Sequence, residues 1–353
     1  MARAKRVKKS SSFIGLLAGI KREVDAQLSH TLNDSRRQGE SYGPEVGAMI
    51  DAVSSLCERG GKRLRPGLCV VGALCVQEGV ELAPLLSAGV ALELLQAYFL
   101  IHDDWMDQDD TRRGGPTAHV SLGRRFRSRA LGERAAILAG DHAVALAQKC
   151  LLDVAASPAR LQKAMRTFAE MQLAAVAGQQ LDIIARTKNP ELTYELKTSS
   201  YTVTGPLRLG AELSGAKTAT LQTIEAYGRP TGVAFQLADD LIGVFGDPDK
   251  TGKPRGADLS AGKNTPLVQY GKKLLPQPDR VLLERVLRTG RATSRQLERL
   301  VTRLDECGAR ASVARRISEL TREGTAALNS PGLTETGKRL LAEASVALTE
   351  REA

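Results

Sequence analysis

An all-α fold is what the sequence predicts, and three observations carry that expectation. Ala and Leu dominate while aromatic residues make up only 4%; helices favour the former, and strands favour aromatic and β-branched residues. Apolar residues recur at helical spacing along the chain, and no segment alternates as a strand does. The chain has 353 residues, 42% hydrophobic and 25% charged, enough to bury a sizeable core in one large helical domain. The expected division is a basic, disordered tail over residues 1–12 and a single helical domain over 13–353.

The tail carries Arg3, Lys5, Arg6, Lys8 and Lys9 ahead of Ser10-Ser11-Ser12 and reads as a solvated segment. The clearest helix runs from Leu85, just after Pro84, to Asp107. Leu85, Val90, Leu92, Leu94, Leu95, Tyr98 and Ile101 cover most of its circumference, which predicts a central, buried helix. It ends in acid: Asp103, Asp104, Asp107, Asp109 and Asp110. Buried helices are expected over 135–154 and 161–184. A further helix or helix pair is expected over 190–204, broken near Gly205-Pro206. Pro230 is expected in the first turn of the helix through Asp239-Asp240, where a missing N–H costs little. From Gly246 to about Pro266 the chain is rich in Gly, Pro, Lys and Asp, the composition of a lid or binding loop. Amphipathic helices fill the remainder from Leu267.

Composition narrows the function classes. The formal net charge is +10 and the pI about 9.5, a balance that fits nucleic acid, a membrane surface or a phosphorylated substrate. Nucleic-acid binding has no motif or aromatic support. Cys57, Cys69, Cys75, Cys150 and Cys307 are odd in number and form no CxxC pair, which predicts free thiols in a reducing compartment. No run approaches the roughly 20 apolar residues of a membrane span, and the expectation is a soluble, cytoplasmic protein with no integral membrane segment.

The chemistry lies in alternating acids and bases. Asp103 and Asp107 are neighbours on one helix face. Their mutual repulsion, and the opposition of an acidic C-terminus to the helix dipole, are relieved by a cation. Oxygen ligands suit Mg²⁺, which usually takes one or two carboxylates plus substrate phosphates. Asp239-Asp240 repeats the theme among Phe235, Leu237, Leu241, Ile242 and Val244, where an unpaired carboxylate is expensive. Basic clusters stand between and after the acids: Gly60-Gly61-Lys62-Arg63-Leu64-Arg65-Pro66, Arg112-Arg113-Gly114-Gly115-Pro116, Lys197-Thr198, Gly252-Lys253 and Gly262-Lys263-Asn264-Thr265-Pro266. Lys brings a point charge and Arg a fork that fits phosphate oxygens. Each cluster alone reads most simply as solvated surface charge; the alternation of metal-type acids with phosphate-type bases is harder to set aside.

Seven blocks, in order, carry a resemblance. They are GGKRLRP at Gly60, LIHDDWMD at Leu100, TRRGGPTAH at Thr111, GQQLD at Gly178, KTSSYT at Lys197, FQLADDLIGVFGD at Phe235 and GKPRGADLSAGKNTP at Gly252. From about residue 25 onward the chain resembles the trans-type isoprenyl diphosphate synthases, the polyprenyl synthetase family. The resemblance implies a single helical bundle around a central cavity, of the isoprenoid synthase type, and a short-chain prenyltransferase. The implied substrates are isopentenyl diphosphate and an allylic prenyl diphosphate, with two or three Mg²⁺ ions as cofactor and a homodimer as the assembly. Asp103, Asp107 and Asp239 would ligate metal, with Asp104 and Asp240 supporting through water or from behind. Arg112, Lys197 and Lys253 would bind the allylic diphosphate. Lys62, Arg65, Gln96 and Arg113 would hold the diphosphate of isopentenyl diphosphate, and Lys263 is a further substrate-binding candidate. Thr198 and Gln236 would turn oxygens toward the developing carbocation. Gln96 stands where many relatives have His.

The second acidic motif departs from the family pattern DDxxD, since its last acid is Gly243. Asp247, one turn on, is not taken as its substitute. Tyr98 and Phe99 lie five and four residues before Asp103, about one helical turn away. In the family, bulky residues there stop the product early, so farnesyl diphosphate is the expected product and geranylgeranyl diphosphate the alternative. A class I terpene cyclase would lack the GGKRLRP and GK segments. A non-catalytic subunit of a heteromeric synthase would lose acids of the first motif, all of which are present. A di-iron bundle would need Glu-x-x-His pairs, and His30, His102, His119 and His142 provide none.

Overall fold

The structure is a computed structural model describing residues 11–184, 189–247 and 255–350. It is all-α apart from one small hairpin. Ten residues of the basic tail, and Lys253, lie outside the described residues. The chain forms two compact units: residues up to Thr167 with Pro206–Ala216, and Phe168–Gly205 with Lys217 onward.

The first unit contains α1 (Phe13–Glu40), α2 (Pro44–Glu58), α3 (Leu64–Val76), α4 (Leu82–Met106), α5 (Ala118–Phe126), α6 (Arg129–Leu152) and the start of α7 (Pro158–Ile184). Helix α4 packs against α1, α3 and α6. Its residues from Ala88 to Ala97 are all buried, as apolarity around the whole circumference predicts. It begins two residues before Pro84, which sits in its first turn. By length and composition both α4 and α6 could cross a membrane, contrary to the expectation that no run comes close; most of that apolar stretch is buried in α4 and most of it is not in α6.

Of the three cations in GGKRLRP, Arg63 turns inward. It has the left-handed backbone (φ 49°) just before α3 and is 4% exposed. Its guanidinium donates to Asp25 at 2.6 Å, to Glu93 at 2.5 Å and to the Cys57 carbonyl at 2.8 Å. This fork ties α1, α2 and α4 together and leaves Lys62 exposed and Arg65 half-buried. All five cysteines are free thiols, and burial pushes those of Cys57, Cys69 and Cys75 up to about 12.

In the second unit α8 (Pro190–Tyr194) leads into a π-helix (Glu195–Thr204); Gly205 then opens α9 (Gly205–Leu213), which from Pro206 on belongs to the first unit, rather than ending the helical run. Helix α10 (Thr218–Phe245) carries the second acidic motif. Pro230 lies inside α10, not in its first turn. A proline there removes one backbone hydrogen bond. The Thr231 hydroxyl donates to the Tyr227 carbonyl at 2.7 Å, and Gly324 leaves room for the ring. Packing thus overrides the local rule. Beyond residue 255 come α11 (Ala257–Ser260), α12 (Pro266–Leu274), α13 (Gln277–Thr289), α14 (Ser294–Glu306), α15 (Ala309–Ala327) and α16 (Glu335–Thr349). Leu237, Val244, Leu267, Leu283, Leu304 and Val313 belong to this unit's core.

Removing one partner of a buried ion pair costs about 3–5 kcal/mol. Arg63→Ala should therefore lower the urea midpoint of the purified protein by a corresponding amount; an unchanged midpoint would show that the fork contributes little.

Candidate functional site

The first acidic motif occupies the last turn of α4. Asp104 is only 1% exposed, Asp103 is half-buried and Asp107 is exposed at the helix end. The Asp107 N–H donates to the Asp103 carbonyl at 2.8 Å, which closes the turn and sets both carboxylates on one side. Arg112 grips Asp104 through Nε at 2.7 Å and through a second nitrogen, which also reaches Asp109 at 3.2 Å. Burial pushes the Asp104 carboxyl above the usual range, and the Arg112 contact opposes that rise.

Arg112 is aimed by the hairpin. Strands β1 (Thr111–Arg112) and β2 (Gly115–Pro116) pair antiparallel around Arg113-Gly114, with φ of 51° and 71°. Two positive-φ residues at the centre of a two-residue turn match the twist of the flanking strands. Arg59 donates to the Arg112 carbonyl at 2.8 Å. A Cβ at Gly115 would sit 2.3 Å from the Arg59 guanidinium, so a side chain there would displace Arg59. Arg113 donates to the Gly60 carbonyl, bringing the basic turn onto the GGKRLRP loop. Gln96, 8% exposed, has a buried side-chain oxygen with no hydrogen-bond partner among the described residues.

In the second unit Asp240 is 6% exposed and Asp239 exposed. The Tyr194 hydroxyl donates to one Asp240 oxygen and Gln236 Nε2 to the other at 3.0 Å. Burial raises the Asp240 carboxyl to about 7 despite both hydrogen bonds. Thr198 donates to Gln236 Oε1 at 2.9 Å, so Thr198, Gln236, Asp240 and Tyr194 form one chain. Lys197 donates to Asp182 at 2.6 Å.

The π-helix that presents Lys197 and Thr198 is pressed between glycines. A Cβ at Gly178 of α7 would lie 2.3 Å from the Lys197 nitrogen, and one at Gly232 of α10 would lie 2.2 Å from Ser199 Oγ. π-Helical turns are frequent at functional sites, and periodicity alone does not reveal them. The sequence reading assigned no role to Tyr194 or Asp182; the GQQLD block was the available signal for Asp182.

Gly243 also has an explanation. A Cβ there would meet Asp258 Oδ2 at 2.1 Å. The Asp258 carboxylate, largely buried and held by Lys263 at 2.8 Å, therefore lies against the backbone where the family pattern places an acid. Asp247, by contrast, is exposed.

Among the described residues no three potential ligands form a ready-made metal cage. Mg²⁺ asks only one or two carboxylates of a protein, with substrate phosphates for the rest. Asp103, Asp107 and Asp239 are the more solvent-accessible hard-oxygen donors, and Asp104 and Asp240 are the buried ones.

A carboxyl raised from its unfolded value near 3.9 to about 7 contributes stability below the unfolded value and loses it as pH rises through the folded one. In Mg²⁺-free protein, Asp240→Asn should therefore gain on wild type between about pH 5 and about pH 8. Urea midpoints at the two pH values measure this; a constant offset would contradict it.

The sequence model of the polyprenyl synthetase family matches residues 47–304. The chain is 34% identical over 294 residues to a geranylgeranyl diphosphate synthase of Methanosarcina mazei, covering 81% of this chain and 82% of the relative. It is 34% identical over 210 residues to a (2E,6E)-farnesyl diphosphate synthase of Mycobacterium tuberculosis, 58% of this chain and 55% of that one. A crystal structure of geranylgeranyl pyrophosphate synthase from Corynebacterium glutamicum, complexed with isoprenyl diphosphate and magnesium, superposes with a TM-score of 0.87 at 31% identity, covering 95% and 99% of the two chains. With the seven blocks in order and both acidic helices in place, the chain belongs to the polyprenyl synthetase family.

Proposed function

We propose that this protein joins isopentenyl diphosphate to an allylic prenyl diphosphate, releasing diphosphate, and that its main product is farnesyl diphosphate. One observation carries the reading. In each unit a buried aspartate sits beside a more exposed one, with a basic residue close by: Asp104 beside Asp103 and Asp107 with Arg112 on it, Asp240 beside Asp239 with Lys263 near.

Asp103, Asp107 and Asp239 would hold two or three Mg²⁺ ions, while Asp104 and Asp240 orient them from behind. Bound Mg²⁺ would stabilise negative charge on the departing diphosphate, the largest contribution such a site makes. Arg112, Lys197 and Lys253 would take the allylic diphosphate. Lys62, Arg65, Gln96 and Arg113 would take that of isopentenyl diphosphate, with Lys263 as a further contact. The Thr198 hydroxyl donates to Gln236, and its oxygen keeps lone pairs for an electron-poor carbon. The released diphosphate is the base in this scheme, so no side chain is assigned that step.

Tyr98 and Phe99 support the shorter product. Their rings pack 4.9 Å apart and are half-buried on α4, one turn from Asp103. A geranylgeranyl product is the second reading, favoured by the names of the M. mazei and C. glutamicum relatives. A homodimer is supported by the leucines that α6 leaves exposed, Leu131, Leu138 and Leu152. Sedimentation at twice the monomer mass is expected, and a monomer at assay concentration would refute it.

Purified protein with Mg²⁺, labelled isopentenyl diphosphate and each allylic diphosphate in turn should give product one isoprene unit longer at each step, ending at farnesyl. Absence of product with every primer would overturn the reading. Asp103→Ala should lower kcat by a factor on the order of 10² or more, and full activity would refute the metal role. Tyr98→Ala should lengthen the product.

A further inference from the structure

Helix α6 offers α4 an unusual surface. Apart from Leu151 its buried positions are small: Gly132, set against Gly123 of α5, and Ala136, Ala139, Gly140, Ala143 and Ala147. Against this surface lies His102, the residue before Asp103. Its Nε2 lies 3.0 Å from the Ile137 carbonyl, a hydrogen bond that requires the proton on that nitrogen. Its ring rests on Gly140: a Cβ there would fall 2.2 Å from Nε2 and 2.4 Å from Cδ2. Only glycine leaves the imidazole where it is.

The ring's other contact is Tyr98. The two meet edge to face, with centroids 4.8 Å apart and planes at 65°. Tyr98 in turn touches Phe99. Residues 98 and 102 are one turn apart on α4, so a ring pinned at 102 limits the rotamers open to the ring at 98. Asp141 lies near both: its carboxylate is 3.9 Å from His102 Nε2, and its charge, after burial, helps push the Tyr98 phenol up.

We propose that His102 is a positioning residue for product length: suspended from the Ile137 carbonyl and seated on Gly140, its ring holds Tyr98 across the path of the growing prenyl chain. The inference rests on the reading of Tyr98 as the stop and extends it to α6. It makes Gly140 part of product specificity and gives His102 no proton-transfer role.

The test is the product profile with Mg²⁺, geranyl diphosphate and labelled isopentenyl diphosphate. His102→Ala should raise the ratio of the next-longer product to farnesyl on the order of tenfold, the scale at which a pocket senses a small change in size. Its kcat/KM for the first condensation should stay within about threefold of wild type. His102→Gln, which can still reach the Ile137 carbonyl but has no ring, should shift the profile the same way and serves if the alanine variant does not fold. Because His102 acts through Tyr98, the double variant His102→Ala/Tyr98→Ala should match Tyr98→Ala alone. An unchanged profile in the His102 variants, with lengthening in Tyr98→Ala, would overturn the proposal and leave the Tyr98 reading intact. So would a double variant longer than Tyr98→Ala. An unchanged profile in Tyr98→Ala itself would overturn the Tyr98 reading and this proposal with it.

Discussion

Carboxylates at the end of an apolar helix must be held against both burial and one another, and in this protein one buried aspartate in each motif meets that constraint. Asp104 is clasped by Arg112 and Asp240 by Tyr194 and Gln236. Hydrogen bonds to a charged group are worth about 1.5–3 kcal/mol net, which at Asp104 offsets part of the cost of burial. Asp103, Asp107 and Asp239, more exposed than Asp104 and Asp240, are the acids assigned to metal in the proposed reaction.

The surrounding architecture serves these two anchors. Around Asp104 it is the hairpin, whose two positive-φ residues and Gly115 let Arg112 reach the carboxylate. Arg63, drawn inward to Asp25 and Glu93, fixes the turn into α3 on which Lys62 and Arg65 sit. Around Asp240 it is the π-helix, which puts Thr198 on Gln236 and Lys197 on Asp182. Close contacts at Gly178 and Gly232 hold that irregular turn, and π-helical turns are frequent at functional sites.

The acid–base alternation and the apolar circumference of α4 were legible because both are written in consecutive residues. What was not legible depends on partners distant in sequence. Three cations in GGKRLRP look equivalent until Asp25 and Glu93 select Arg63 for the interior. Pro230 obeys the rule for helix starts until Thr231 and Gly324 accommodate it within α10. Residues 195–204 have helical spacing, and a π-turn differs from an α-turn by one residue in hydrogen-bond register. Gly243 reads as a lost acid in one dimension; in three, the Asp258 carboxylate of α11 lies over it. That carboxylate comes from a block already noted for its lysines, but nothing local links it to Gly243.

The division of labour between buried and exposed aspartates is the centre of this account. Anomalous scattering from Mn²⁺ in crystals grown with an allylic diphosphate measures it directly. Metal peaks are expected within coordination distance of Asp103, Asp107 and Asp239, with Asp104 still bound to Arg112 and Asp240 still bound to Tyr194. A metal ligated directly by Asp104 or Asp240, with those side-chain contacts broken, would contradict it.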